Sequence, residues 1–383
     1  MKEKEVVRLA LLLSYLVLVT RGEGIRSINQ GEHTRKITTY QQVNKSIQMG
    51  GQDIFDCIDV NLQPAFNHPL LRGHKIQMEP SSFPEGMDTI SPLPNFESHA
   101  QLPTIECPTG TVPILRDPRR DNISPRSTDE VIANHKRGES VGIRYLNDDI
   151  YGTRAILNVY EPKVNKDSED LSASWIQINN GADVDHKDTI GAGFAVYPKS
   201  SGDSFARFHV GWDQGVQKSC YDHTCHGFVQ VNPKFALGGR IQPVSAYNGP
   251  QYVITVFIFK DPKTNNWWVT YGKNNTLVGY WPNSIFSYIK DKGDSAFWGG
   301  HVSGPTSLTK SPQIGSGHYA QEGYGKAAYI KNIQLVNQNN NLYNPDDNKS
   351  HPGTTNTSKY SVDGYEVTKD GIHIYYGGPG DFV

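Results

Sequence analysis

The chain contains 383 residues, of which 37 are Lys or Arg and 39 are Asp or Glu. This balance argues against nucleic acid as a partner, because no excess of positive charge is available to face phosphate groups. The length favours one large domain with a smaller attachment. The 37 Gly, 20 Tyr and 6 Trp residues are typical of an all-β protein with many turns.

The N-terminus has the pattern of a secretory signal peptide. Lys2, Lys4 and Arg8 precede the apolar run LALLLSYLVLV at residues 9–19, and polar residues follow. A basic start before about ten apolar residues predicts export, and the run is too short to cross a bilayer. We therefore expect residues 1–24 to be a signal peptide and the protein to be extracellular, without a membrane span.

Residues 25–130 differ in composition from the remainder. Residues 63–80, QPAFNHPLLRGHKIQMEP, are rich in Pro and polar side chains and show few periodic apolar positions. Such a segment buries little surface alone, so we expect it to lie over another domain. Residues 117–130, DPRRDNISPRSTDE, resemble an exposed linker with a processing site at Arg119 and Arg120. The predicted domains are residues 25–130 and 131–383.

The second domain is predicted to consist of short strands. Residues 252–259, YVITVFIF, are β-branched and aromatic, and the turn DPKTNN connects them to WWVTYG in a hairpin. Further strands are predicted at residues 189–197, 204–211, 228–231 and 327–336, and a last strand in the tail YYGGPGDFV. Residues 284–290 predict a helix of about two turns. The pattern favours antiparallel sheets packed as a sandwich.

The four cysteines predict two disulfide bonds. Cys220 and Cys225 lie in CYDHTCHGF, where the neighbouring histidines would allow a metal site, but a second distant ligand pair is missing. In an oxidising compartment, a disulfide across this tight loop is the simpler interpretation. Cys57 and Cys107 would then pair with each other.

Five sequons agree with export and predict a glycoprotein. The Asn residues that begin N-x-S/T without an intervening Pro are Asn44, Asn122, Asn274, Asn348 and Asn356. Because sequons also occur by chance, we do not expect all of them to be used.

Several motifs together resemble the neprosin family of plant secreted glutamic endopeptidases, which cleave after proline. DCIDVNLQPAFNHPLLRGHKIQM and CPTGTVPILR resemble its activation domain, a propeptide. CYDHTCHGFVQV, NNWWVTYG, VGYWP, FWGG, IGSGHY and YYGGPG resemble its peptidase domain in the same order. The resemblance runs from about residue 50 to the C-terminus. It implies a sandwich of two antiparallel sheets with a cleft on the concave face, preceded by a small N-terminal activation-like domain.

The resemblance also implies two catalytic glutamates, and this chain has neither. One carboxylate would activate water while the other, protonated, donates to the leaving group. Gly191, in IGAGF, holds the first position, and His301, in WGGH, holds the second. A glycine cannot ionise and an imidazole cannot act as a carboxylic acid at acidic pH. We therefore expect a catalytically impaired homologue.

The alternative is an active acid endopeptidase that cleaves next to proline with relocated carboxylates. Asp183, Asp185 and Asp188 precede Gly191 in the run GADVDHKD, and Asp213 and Glu322 are further candidates. Two of these groups would have to converge within about 5–9 Å of each other around a shared water. Solvated turns and surface positions are the more common roles of such residues.

No metal ion or other cofactor is predicted. A site that joins His301 with His318 or His209 is conceivable, but most lone histidines beside aromatic residues are packed and hydrogen-bonded. A serine nucleophile also lacks support, since the G-x-S-x-G pattern is absent from the sequence.

The impaired protein would keep its cleft as a binding groove. The candidate lining residues are Trp212, Trp268, Tyr280, Trp281, Trp298 and His301, since aromatic faces suit proline and sugar rings. For at least half of the aromatic residues we expect a core position instead. Proline-rich peptides and cell-wall polymers are the expected partners of a monomer in the apoplast or cell wall.

One further position departs from the family. Gly364 stands just before Tyr365, where many members have a cysteine of a C-terminal pair. A missing disulfide costs about 2–4 kcal/mol in comparable loops, so we expect a looser tail or one held by other contacts.

Overall fold

The computed structural model describes residues 43–50, 52–87, 94, 97–116, 138–182, 186–215 and 219–382. These residues belong to one compact unit, Gln41–Val383. The predicted signal peptide, the predicted linker at residues 117–130, Asn122, Asp183 and Asp185 lie outside the described residues. None of the described helices is long and apolar enough to cross a membrane. The predicted domain boundaries stay predictions.

The N-terminal segment, residues 43–116, forms a small sheet of its own. Its strands β1 (Val43–Met49), β2 (Asp53–Asp59) and β4 (Thr111–Leu115) pair in that order, and β3 (Glu97–His99) joins a different sheet. Three 3-10 helices follow β2, at Val60–Leu62, Pro64–Asn67 and Pro69–Leu71. The disulfide Cys57–Cys107 confirms the predicted pairing and closes the long excursion between β2 and β4.

A seven-stranded antiparallel sheet forms one layer of a sandwich, in the order β10-β9-β8-β7-β15-β5-β18. Its strands are β5 (Gly138–Ile150), β7 (Leu171–Gly181), β8 (Lys187–Val196), β9 (Arg207–Gln214), β10 (Cys220–Tyr221), β15 (Gly293–Ser303) and β18 (Ser350–Thr354). The short helix α1 (Pro198–Ser201) joins β8 to β9. The disulfide Cys220–Cys225, which begins in β10, is also as predicted.

The second layer is a ten-stranded sheet with the main order β11-β14-β13-β12-β6-β16-β20-β19, to which β17 and β3 attach. Its strands are β6 (Gly152–Asn158), β11 (Val229–Gln230), β12 (Gln251–Lys260), β13 (Trp267–Tyr271), β14 (Thr276–Trp281), β16 (Ala328–Val336), β17 (Leu342–Tyr343), β19 (Ser361–Thr368) and β20 (Gly371–Gly377). The activation-like strand β3 pairs with β12 in parallel, whereas the other pairs are antiparallel.

The hydrophobic core lies between the two sheets, because alternate side chains of each strand point inward. On β7, Ile176 and Ile178 are fully buried while their neighbour Trp175 is half-buried on the other face. Two hydrogen bonds cross the sandwich: Trp298 Nε1 donates to Thr153 Oγ1 at 2.8 Å, and the Tyr376 hydroxyl donates to Ser174 Oγ at 2.6 Å. The predicted all-β sandwich is confirmed.

The N-terminal segment packs on the outer face of the ten-stranded sheet. Ala65, Phe66 and other apolar residues of this segment contact a second cluster that includes Trp268 and Tyr280. Both aromatic residues are completely buried by this contact. The expectation that a Pro-rich segment lies over another part of the protein therefore agrees with the structure.

The predicted strands occur within about three residues of their predicted bounds, but the predicted helix at residues 284–290 is wrong. Only one 3-10 turn forms there, at Asn283–Ile285, because the following backbone N–H groups bond to the carboxylate of Asp188. The other 3-10 helices are Ala320–Glu322 and Asp347–Lys349. The predicted last strand is β20, which begins before the motif YYGGPGDFV, ends at Gly377 and is followed by a loop. Tyr365 donates to Asp347 Oδ1 at 2.6 Å beside Gly364.

Candidate binding cleft on the seven-stranded sheet

The face of the seven-stranded sheet that points away from the core carries an open cleft. Residues from β7, β8, β9, β10 and β15 line a cavity of about 220 Å³. Ala173, Trp175 and Gln177 come from the central strand β7, where alternate residues face outward. His301 and Ser303 of β15 form one side, and His209 and Tyr221 form the other.

Trp175 lies flat on the floor of this cleft. A Cβ atom built on Gly191 would stand 2.0 Å from Trp175 Nε1, and one built on Gly193 would stand 3.0 Å from Cε3. A Cβ on Gly211, one strand further away, would be 3.2 Å from Cζ2. Side chains at these three positions would therefore run into three different parts of the indole ring. The indole is parallel to the sheet, and its opposite face borders the cavity.

His301 stands upright beside the indole. Its ring is perpendicular to that of Trp175, with 6.3 Å between the ring centroids. The register pairs His301 with Ala173, and Gly191 with Gln177. Residue 175 lies midway between residues 173 and 177 on β7, and its ring extends from there over β8 to Gly191.

A hydrogen-bonded polar group forms one end of the cleft. Asn179 Oδ1 accepts from Gln177 Nε2 at 2.6 Å and from Thr189 Oγ1 at 3.0 Å. These bonds fix the Gln177 amide and the Thr189 hydroxyl on the cavity lining. The groups next to the indole are thus polar and held in place.

His209 lies at the opposite end, where an aspartate behind it holds its ring. His209 Nδ1 lies 2.5 Å from Asp222 Oδ2, while Asp222 Oδ1 accepts the backbone N–H of Val210. Asp222 belongs to the loop closed by the Cys220–Cys225 disulfide, which brings its carboxylate to β9. His209 also borders a second cavity, of about 130 Å³, between this loop and strands β2 and β4.

Comparison with known proteins identifies the family. Residues 168–379 match the family described as Neprosin, and residues 46–149 match the neprosin activation peptide. The chain belongs to the neprosin family. The resemblance of the sequence motifs to neprosin is therefore confirmed.

Two solved structures resemble this neprosin-family chain. One is Scytalido-glutamic peptidase with a peptide-based transition state analog, and the other is SCP-B, a member of the Eqolisin family of peptidases, in a complex with the tripeptide Ala-Ile-His. Each has 10% sequence identity to this chain. The alignment covers 63% of this chain and 98% of the solved one. The TM-scores are 0.32 and 0.31.

The aromatic residues predicted to line the neprosin cleft lie elsewhere. Trp268 and Tyr280 belong to the ten-stranded sheet and are covered by the N-terminal segment, so their assignment to the cleft is wrong. Trp281 and Trp298 are completely buried between the sheets. Trp212 borders the cavity but is only 2% exposed. Of the predicted residues, His301 alone is both in the lining and half-buried.

The candidate replacement carboxylates do not converge among the described residues. Asp213 borders the cavity. Asp188 is 1% exposed, and its Oδ2 accepts the backbone N–H groups of residues 287–289. Glu322 lies outside the cleft, where it bonds to Tyr247 and His318. The slight burial of Glu322 raises its pKa, but the Tyr247 and His318 bonds outweigh this and hold the pKa below its usual range.

The described residues contain no group of three or more His, Cys, Asp or Glu side chains that could hold a metal ion. The histidines that had been candidates make other contacts. His318 pairs with Glu322, His209 pairs with Asp222, and His301 packs against Trp175.

Sequence reasoning missed Trp175, although it is the central residue of the cleft. Gly191 and Gly193 alternate within β8, and Gly211 follows on β9, so that three outward positions lack side chains. Glycines in strand interiors often mark the close approach of another group. This pattern could have predicted that a large side chain from a neighbouring strand lies over them.

Proposed function

We propose that this chain is a secreted neprosin-family protein whose cleft binds an extracellular polymer without hydrolysing it. The observation that carries the proposal is the position of the Trp175 indole above Gly191. The space that a glutamate side chain at position 191 would need holds a ring instead. At the second family position, His301 places an imidazole perpendicular to the same ring.

Hydrolysis by two glutamates requires two carboxyl groups with separated pKa values. Gly191 has no ionisable group, and His301 cannot act as a protonated carboxyl group in acid. Loss of a general acid or base lowers rates by about 10²–10⁴-fold for each group, and the losses of groups that act together are not additive. The substitutions thus remove the family chemistry at both positions.

The cleft is long enough to hold a segment of a polymer. It crosses five neighbouring strands, from β10 to β15. At about 4.8 Å per strand interval, its span is roughly 19 Å, the length of about six extended residues. The aromatic floor and polar ends give it the composition of a binding site.

Three features support secretion. The predicted signal peptide begins the chain, and sequons are present. The four cysteines form two disulfide bonds, which persist in oxidising compartments. The proposed location is the apoplast or the cell wall, where the predicted ligands are also found.

The second candidate function is an acid endopeptidase that cleaves next to proline with relocated carboxylates. Asp213 favours it, because this carboxylate lines the cavity beside Thr189. It requires a second carboxyl group, for which Asp183 and Asp185, beyond the described residues, are the remaining candidates.

A peptidase assay tests the proposal. The secreted, acid-treated protein is incubated with a library of proline-containing peptides at roughly pH 2–6. A Gly191→Glu/His301→Glu variant is compared with a triple variant that also carries Trp175→Ala, because the indole obstructs position 191. We expect no cleavage by the natural protein and gain of cleavage only in the triple variant. Cleavage by the natural protein that is lost in Asp213→Asn would overturn the proposal in favour of relocated carboxylates.

A further inference from the structure

We propose that the cleft binds a neutral sugar chain and that one sugar ring stacks on the outer face of Trp175. The inference rests on the proposed function, because it names the ligand class of the same cleft. It is carried by the orientation of the indole, by the chemistry of the groups around it and by the pairing of the strands beneath it.

The first element is a flat aromatic surface. The indole lies directly on Gly191, Gly193 and Gly211, so the sheet covers its inner face. The outer face is therefore the one that meets a ligand. The apolar face of a sugar ring packs on such a surface over most of its area, as other flat apolar groups do on aromatic rings.

The second element is the polar surroundings of the ring. The Gln177 amide and the Thr189 hydroxyl lie at one end, each held by a bond to Asn179. Asp213, His301 and Ser303 also line the cavity. These side chains include both donors and acceptors, which match the hydroxyl groups at the edge of a sugar ring.

The third element is charge. Among the described residues that line the cavity, none is a lysine or an arginine, and Asp213 is the one carboxylate. A polymer with many carboxylates or sulfates would meet no fixed positive charge there. The lining thus fits an uncharged chain better than an acidic one.

The fourth element weighs against a peptide. Strands β7, β8, β9 and β15 are paired with neighbours on both sides along the cleft. Their backbone N–H and C=O groups are used within the sheet, so a peptide main chain finds no unpaired edge on these four strands, and only the two-residue strand β10 forms an edge at the cleft.

The tryptophans provide a direct readout. The chain has 6 tryptophans, and the other five, Trp212, Trp267, Trp268, Trp281 and Trp298, are at most 2% exposed. Acrylamide quenching of tryptophan fluorescence therefore reports mainly on Trp175. The neutral probes are cellohexaose, xylohexaose and mannohexaose. Polygalacturonate, an acidic polysaccharide, and a proline-rich peptide are tested as ligands of other chemical classes.

We expect one of the neutral hexaoses to reduce quenching in the natural protein by about half or more. Trp175→Ala should weaken binding of that sugar at least about tenfold in calorimetry. Gln177→Leu, which keeps the indole and removes an amide, should weaken it severalfold. Tyr319→Ala removes an exposed ring outside the cleft and should leave binding unchanged. Unfolding curves confirm that each variant is folded.

The other outcomes separate the sugar inference from the proposed function. Protection by the peptide, recovered intact, overturns the sugar inference and keeps a non-hydrolytic binding cleft. Cleavage of the peptide overturns both. Protection by polygalacturonate alone overturns the neutral ligand. If no probe protects Trp175 from quenching, the sugar inference is wrong. Whether the protein lacks peptidase activity is then decided separately, by whether the proline-rich peptide is recovered intact.

Discussion

Trp175 and Gly191 occupy one site on the sheet, since a Cβ atom on Gly191 would lie 2.0 Å from the indole nitrogen of Trp175. The absence of a side chain at position 191 and the position of the indole are thus parts of one arrangement. With the indole in this position, a side chain at position 191 would overlap the ring.

This coupling predicts a specific stability pattern. Gly191→Ala should destabilise the protein by about 1–3 kcal/mol, because the added methyl group overpacks the site against the indole. In a Trp175→Ala background the same substitution should cost clearly less, since the obstructing ring is gone. Urea unfolding of the four proteins in this cycle measures the difference.

Gly353→Ala is the matched control. Gly353 lies in β18 of the same sheet, and a Cβ there meets nothing within 4 Å. We expect little change from it. Equal costs of Gly191→Ala in both backgrounds would show that Trp175 does not constrain Gly191.

Asp188 is predicted to be structural. Its Oδ2 accepts backbone N–H groups from Ser287 at 2.7 Å and Ile289 at 3.1 Å, with Tyr288 between them. Asp188→Asn should destabilise the protein by about 1.5–3 kcal/mol, since hydrogen bonds to a charged acceptor are lost. Exposed Asp167→Asn is the control. An unchanged midpoint in chemical denaturation for Asp188→Asn would contradict this role.

Asp261 should make the attachment of the N-terminal segment sensitive to acid. Burial raises the pKa of Asp261, but hydrogen bonds from Ser81 and from backbone N–H groups outweigh it, so the pKa lies below its usual value. The stabilisation is therefore complete above about pH 3.9, the ordinary value, and is lost as the pH falls through the lower native pKa. Hydrogen exchange of the segment around Gln77 and Ser81 measures this loss.

The Asp261 variant separates this effect from general acid unfolding. Asp261→Asn should give faster exchange around Ser81 already at about pH 5, because the carboxylate no longer accepts from Gln77 and Ser81. Asp167→Asn should behave like the natural protein. Identical exchange of all three proteins across the pH range would exclude Asp261 as the cause.

The N-terminal segment should remain bound after the chain is cut. The buried Gln63 side chain exchanges two hydrogen bonds with the Gln230 backbone, at 2.7 and 3.0 Å. β3 also extends the ten-stranded sheet, and Trp268 and Tyr280 would be exposed if the segment left. A protease site inserted between residues 117 and 137 should yield two pieces that co-elute in gel filtration at neutral pH. Separate elution with red-shifted tryptophan fluorescence would indicate a removable propeptide.

The sequons should differ in use. Asn44 and Asn274 are exposed, whereas Asn356 Nδ2 donates to Glu139 Oε1 at 2.6 Å. A glycan is attached through this same nitrogen, and its addition would remove a partner from the buried Glu139. Glycopeptide mass spectrometry of the secreted protein should find Asn44 and Asn274 modified and Asn356 unmodified. Full occupancy of Asn356 would mean that the Glu139 contact is dispensable.

The sequence by itself determined the features that depend on neighbouring residues. The β-branched and aromatic run at residues 252–259 and the turn before Trp267 predicted strands β12 and β13 correctly. The short spacing of Cys220 and Cys225 predicted their disulfide. Ordered motifs predicted the neprosin family. In each case the chemistry lies within a few consecutive residues or in a repeated pattern.

Only the tertiary structure decided which residues form the cleft. Trp268 and Trp175 are both tryptophans in strands, yet one is covered by the N-terminal segment and the other lies open. The difference depends on which sheet each strand joins and on which of its faces is covered, and these follow from pairings between residues far apart in sequence. The glycines that seat the indole come from two further strands, so their effect exists only after the register of three strands is set.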